Sequence, residues 1–177
     1  VVSQESIWTT DSTPMWCYGA ILDTINLLGE GTRMLVQQWA KVTGNDVERL
    51  AKVWDIAWIV SPSIKGHFRI NWSIEEQRAE VTAKLASGAL RAVEKIRSNL
   101  EQVPHNRRKR LLRRCNNLVK VINQNLETDE QGRLVVAKRV TKERIISLTD
   151  PVARHGRKSK SKTFNGYKLH LVGDIVS

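Results

Sequence analysis

The sequence predicts an α+β fold with a large, mainly helical insertion, and three observations predict it. A β-branched and aromatic segment lies near the start, apolar residues recur at helical spacing from 19 to 126, and strand-like segments return after 127. The segment Ser6-Ile-Trp-Thr-Thr-Asp-Ser-Thr-Pro14 reads as a short strand that Pro14 ends. From Gly19 the period changes: Ile21, Ile25, Leu28, Leu35, Trp39 and Val42 lie on one helical face, with a kink or break expected at Gly29 and Gly31. A second amphipathic stretch carries Leu50, Val53, Trp54, Ala57 and Trp58 on one face and stops at Ser61-Pro62-Ser63. Ser73-Ile-Glu-Glu76 fits a capping box that opens a long helix with the apolar face Val81, Leu85, Ala89, Val93, Ile96 and Leu100. Pro104 suits the start of the next helix, whose stripe is Leu111, Cys115, Leu118, Ile122 and Leu126.

After Asp129-Glu-Gln-Gly132 the segments 133–140 and 144–148 read as strands. Asp150-Pro151 starts a basic loop, Arg154-His-Gly-Arg-Lys-Ser-Lys-Ser-Lys162, and Tyr167-Lys-Leu-His-Leu-Val172 is a strand entered through Asn165-Gly166. Three segments result: a first strand over 1–18, a helical insertion over 19–126, and a β-rich segment with the basic loop and a second strand over 127–177.

Charge is divided unevenly along the chain. Residues 1–100 hold 11 basic and 11 acidic groups, whereas 101–177 hold 18 basic and 7 acidic groups, so the whole net charge of +11 sits in the second part. That excludes a uniform solubilising charge and points to a basic face for a polyanion. No uncharged apolar run reaches the roughly 18–20 residues of a membrane span, and the polar N-terminus lacks a signal-peptide pattern. Cys17 and Cys115 are too few and too scattered for a disulfide framework or a zinc site, so a reduced, intracellular chain is expected. The chain begins at Val1 and stops at Ser177 after a strand-like stretch, which leads to the expectation of a piece of something longer.

Two features carry candidate chemistry. Asp11 lies in the first strand, where a carboxylate either binds a divalent cation or forms the turn before Pro14; Mg²⁺ needs further carboxylates or phosphate oxygens beside one Asp. The other feature is a pair of basic clusters. Arg107, Arg108, Arg110, Arg113 and Arg114 crowd the first half of the last helix, and positions 107, 110, 111 and 114 share a face. Arg154, His155, Arg157, Lys158, Lys160 and Lys162 form the second cluster, with no balancing acids nearby. One cluster alone is as readily a solvated surface; two together favour nucleic acid, bound through phosphates and therefore salt-sensitive.

The remaining candidates are weaker. Trp39, Trp54 and Trp58 fall on apolar helical faces and read as core, while Trp8 and Trp16, flanking Asp11, are placed where a site role is conceivable. His67, His105 and His170 show no metal-ligand spacing, and no glycine-rich phosphate loop or serine-nucleophile motif occurs.

Thr10-Asp-Ser-Thr-Pro-Met15, Gly19-Ala-Ile-Leu-Asp-Thr24 and Leu27-Leu-Gly-Glu-Gly31 resemble the start of the catalytic domain of bacterial insertion-sequence DDE transposases. Arg139-Val140, Arg144-Ile-Ile-Ser147, Asp150-Pro151, Ala153-Arg-His-Gly-Arg-Lys158 and Phe164-Asn-Gly-Tyr-Lys-Leu-His170 are similar to the stretch leading into that domain's second strand. The resemblance implies an incomplete RNase H-like sheet holding the first strands only, interrupted by the insertion. It also implies DNA cleavage and strand transfer by two Mg²⁺ or Mn²⁺ ions held by two Asp and one Glu, with Asp11 as the first of the three. In the family the other two follow the Tyr-Lys-Leu-His strand at a distance that falls beyond Ser177, so this chain alone is expected to be inactive. The implied partners are transposon-end and target DNA and, in the full-length protein, a second copy; no membrane partner is implied, and the implied location is the bacterial cytoplasm at the nucleoid. The alternative is a non-catalytic DNA-binding remnant or regulator that uses the basic helix and loop. One structural expectation follows: the Asp11 strand pairs antiparallel with 167–172.

Overall fold

The computed structural model describes residues 7–139, 141 and 143–175, with the backbone alone at 7–10 and 173–175. In chain order the elements are β1 (Ile7–Trp16), α1 (Thr24–Thr43), α2 (Val47–Val53), α3 (Ile64–Phe68), α4 (Glu75–Ser98), α5 (His105–Asn125), β2 (Leu126–Thr128), β3 (Leu134–Val136), β4 (Arg154–Arg157) and β5 (Thr163–Ile175). Short 3-10 turns occupy Ala57–Val60 and Leu100–Gln102. The architecture is α+β, with one antiparallel sheet in the order β1-β5-β4 and a separate β2-β3 hairpin.

The expected long-range pairing is present: β1 runs antiparallel to β5 with Asp11 opposite Leu171 and Trp16 opposite Gly166. Pro14 does not end β1, which continues to Trp16. The reason lies in the ladder. Cys17 donates its N–H to the Asn165 carbonyl at 3.0 Å, and antiparallel pairs alternate between bonded and non-bonded. Pro14, three residues earlier, therefore sits at a non-bonded pair, and its missing N–H would have pointed to the open edge of the sheet.

The helical block is built around apolar faces. Asp23 caps α1 by accepting from Asn26 N at 3.2 Å. Leu27, Leu28, Leu35, Leu85, Ile96 and Leu111 are buried together with Trp39, Trp54 and Trp58, which are core residues as their spacing suggests. Glycines 29 and 31 neither kink nor break α1, which is continuous over 20 residues. They are places of close approach instead: a Cβ on Gly29 would lie 2.5–2.8 Å from three carbons of Ile64, and one on Gly31 would lie 2.9 Å from Leu118.

Three further local expectations are corrected. The second amphipathic stretch is not one helix, because Asp55 takes a left-handed φ of 52° after α2 and leaves Val53 and Ala57 exposed, with Ile56 buried in their place. Ser73 caps nothing; the N-cap position of α4 is Ile74, which has no side-chain cap, and Gln77 Oε1 accepts instead from Asn71 N at 2.8 Å. The basic stretch 154–162 is not one loop, since Arg154–Arg157 is strand β4 and only the tip beyond it turns.

The region 126–148 differs most from the sequence reading. Strand character over 133–140 is confined to Leu134–Val136, and Val140 lies outside the described residues. Residues 144–148 are no strand at all. Their backbone is satisfied by a side chain: Gln124 accepts from Ile145 N and donates to Ile145 O, both at 2.9 Å, and Leu22 N donates to Ile146 O at 3.2 Å. Ile145, Ile146 and Ser147 are buried, and Ile145 belongs to the core cluster built mainly by the helices. A β-branched, apolar sequence is thus buried without itself forming a strand.

Candidate nucleic-acid interface

Amphipathic α5 turns its apolar stripe, Leu111, Cys115, Leu118 and Ile122, into the core. Positions 107, 110 and 114 therefore come to lie along the border with α1. A groove of about 370 Å³ opens there, lined by Gln37, Gln38 and Lys41 of α1 and Arg107, Arg110 and Arg114 of α5. No carboxylate of the described residues lines it, and no ion pair among the described residues involves any of its four cations. The half-buried Arg114 is anchored by donating to the Met34 carbonyl at 3.1 Å. Burial, and then the nearby Arg110 and Arg113, lower its proton affinity below the ordinary arginine value. The repulsion among these guanidinium groups would be relieved by an anion in the groove.

The two remaining arginines of the helix behave differently. Arg108 is spent on structure, donating through Nε to the Val103 carbonyl at 2.8 Å and through Nη2 to the Glu101 carbonyl at 3.3 Å. Arg113 is exposed. Lys41, by contrast, is not among the residues that the sequence singles out. As an isolated lysine in the last turn of α1 it carries no signal until the packing of α1 on α5 is known.

The second cluster is a β-hairpin. Arg154 donates through Nη1 to the carbonyls of Pro151 and Ala153 at 2.6 and 2.9 Å, and His155 Nδ1 pairs with Asn165 Oδ1 across the ladder. Arg157, Lys158, Lys160 and Lys162 are exposed at the strand end and tip. The tip is held by Lys158 N donating to Lys162 O at 2.8 Å. Its three lysines are carried by a closed turn, which keeps them together at the end of the sheet.

Asp11 is exposed and alone. Its Oδ1 accepts from the N–H of its own neighbour Ser12 at 2.7 Å, and no group of three or more His, Cys, Asp or Glu among the described residues gathers into a metal site. Asp150 does not join it: it is 2 % exposed and accepts from Tyr167 Oη. Tyr167 faces Met15 in the ladder, four residues and thus about 13 Å along β1 from Asp11. The Asp150 carboxylate and burial push the Tyr167 hydroxyl up to about 12, so it stays a donor to Asp150. One exposed carboxylate does not fit a two-metal centre.

No family model, curated protein or solved structure matches the chain. No helix among the described residues is long and apolar enough to cross a membrane.

Proposed function

We propose that this chain binds the phosphate backbone of DNA, as the DNA-holding first part of a DDE transposase catalytic domain. The observation that carries the binding is the α1–α5 groove, which brings Lys41, Arg107, Arg110 and Arg114 together with no carboxylate of the described residues in its lining. Four cations packed without counter-charge fit a row of phosphates and read no base sequence. The transposase part is supported by the quoted motifs and by the antiparallel β1–β5 pairing around Asp11. On that reading the cleavage chemistry needs two more carboxylates and Mg²⁺ or Mn²⁺ beside Asp11. A second reading, a DNA-binding regulator without catalysis, rests on the basic groove and hairpin, which need no metal site to hold phosphates.

Fluorescence anisotropy with a labelled DNA duplex tests the binding. The Lys41→Gln/Arg107→Gln/Arg110→Gln variant is expected to lose affinity by more than tenfold, while a control at the exposed Lys84 of α4 retains it. Equal affinities for the two variants would refute the groove as the site.

A further inference from the structure

We propose that the β-sheet carries a stacking site for one unpaired nucleobase, with the attached phosphate held by Arg154 and Lys168. This rests on the DNA-binding reading and names the part of the nucleic acid recognised at a second place. The register puts Trp16 opposite Gly166, and Gly166 opposite Arg154. Directly opposed residues project from the same face of a sheet. One row therefore runs aromatic, glycine, cation. Lys168, two residues along β5, projects from that same face opposite Pro14.

The middle of the row is a glycine by necessity. A Cβ on Gly166 would overlap the Met15 carbonyl oxygen, so no larger residue fits there. Beside it lies a depression of about 460 Å³ whose lining includes Val152, Arg154, Gly156, Phe164, Gly166 and Lys168. No carboxylate of the described residues lines this depression either. Among the described side chains, two aromatic residues of the face have opposite fates. Phe164 is buried over Gly156, where it serves the fold. Trp16 is 70 % exposed, and Val152 in the lining of the depression is 66 % exposed.

An indole left in solvent on the face that carries these cations offers what an unpaired base requires. The base lays its π-face on the indole, and the phosphate accepts from guanidinium and ammonium donors. Arg154 spends only Nη1 on the backbone, which leaves Nε and Nη2 for such an acceptor. A base inside a duplex already has both faces stacked, so the site selects single strands and frayed ends over blunt duplex.

The test uses the full chain, a fluorescein-labelled single strand of about 12 nucleotides and a blunt duplex of the same sequence. Trp16→Ala is expected to weaken single-strand binding about five- to a hundredfold and to leave duplex binding unchanged, with Trp16→Phe keeping most of the affinity. Because Trp16 is exposed, both variants should fold, and circular dichroism checks this. Unchanged single-strand affinity in Trp16→Ala, with duplex binding intact, overturns the stacking site and leaves the DNA-binding reading standing. An equal loss on both probes also overturns the stacking site. Binding of neither probe by the unaltered chain overturns both.

Discussion

Gly29→Ala sets helix propensity against packing, and the structure decides which wins. Alanine in the interior of α1 would by itself gain about 1 kcal/mol over glycine. Its Cβ, however, would meet Ile64 Cγ2, Cγ1 and Cδ1 at 2.5, 2.7 and 2.8 Å. Ile64 is 1 % exposed, so it is held within the core rather than free to swing into solvent. Overpacking of this kind costs about 1–3 kcal/mol, and contact with three carbons at once belongs at the upper end. The net loss is about 1–2 kcal/mol, or about 2–8 °C in Tm for a chain of this length. Gly31→Ala is the internal control, since its new Cβ meets only the flexible tips of Leu118 at 2.9 Å and Leu148 at 3.5 Å. It should be neutral or stabilising. Thermal melts followed by circular dichroism compare the two, and a double-mutant cycle with Ile64→Ala should show that the Gly29→Ala penalty depends on the isoleucine. A rise in Tm for Gly29→Ala equal to that for Gly31→Ala would refute the close-approach account.

Other expectations concern protons and thiols. For Asp23, burial opposes ionisation, but hydrogen bonds from Asn26 and Lys65 outweigh it and hold the carboxyl below its ordinary value of 3.8. A depressed carboxylate stabilises the fold above its unfolded value, and that stabilisation is lost as pH falls through the lower, folded value. The stability difference between the unaltered chain and Asp23→Ala, about 1 kcal/mol at neutral pH, should therefore shrink below pH 3.8 in urea titrations. A difference that stayed constant to low pH would contradict the cap. Burial pushes the Cys115 thiol up to about 11, whereas Cys17 is only half-buried. A colorimetric thiol assay should titrate Cys17 in the native chain and Cys115 only after denaturation; rapid modification of both would contradict the buried placement.

Much of this fold is legible in local patterns. The helical faces of α1, α4 and α5 can be read from apolar spacing, and the three core tryptophans follow from the same spacing. The features that escape are those where a partner distant in sequence replaces the usual one. Residues 144–148 have strand composition, yet the Gln124 amide takes the place of a neighbouring strand. Pro14 looks like a terminator, and only the bonded phase of the β1–β5 ladder shows that it faces an open edge. Gly29 looks like a break because its partner, Ile64, lies on another helix. At the candidate site, the arginines of α5 are visible as a charge run, but the division between Arg114 in the groove and Arg108 on the Val103 carbonyl is not. Lys41 enters only through helix packing.

The central claim is that the α1–α5 groove holds DNA phosphates, and the salt dependence of duplex binding tests it most directly. Each phosphate contact contributes a slope of about −0.9 to the plot of log K against log salt concentration. Replacing Lys41, Arg107 and Arg110 by Gln should therefore make the slope shallower by about 2.7 across roughly 50–200 mM salt, with the fold unchanged by circular dichroism. A triple variant with the slope of the unaltered chain would contradict the claim.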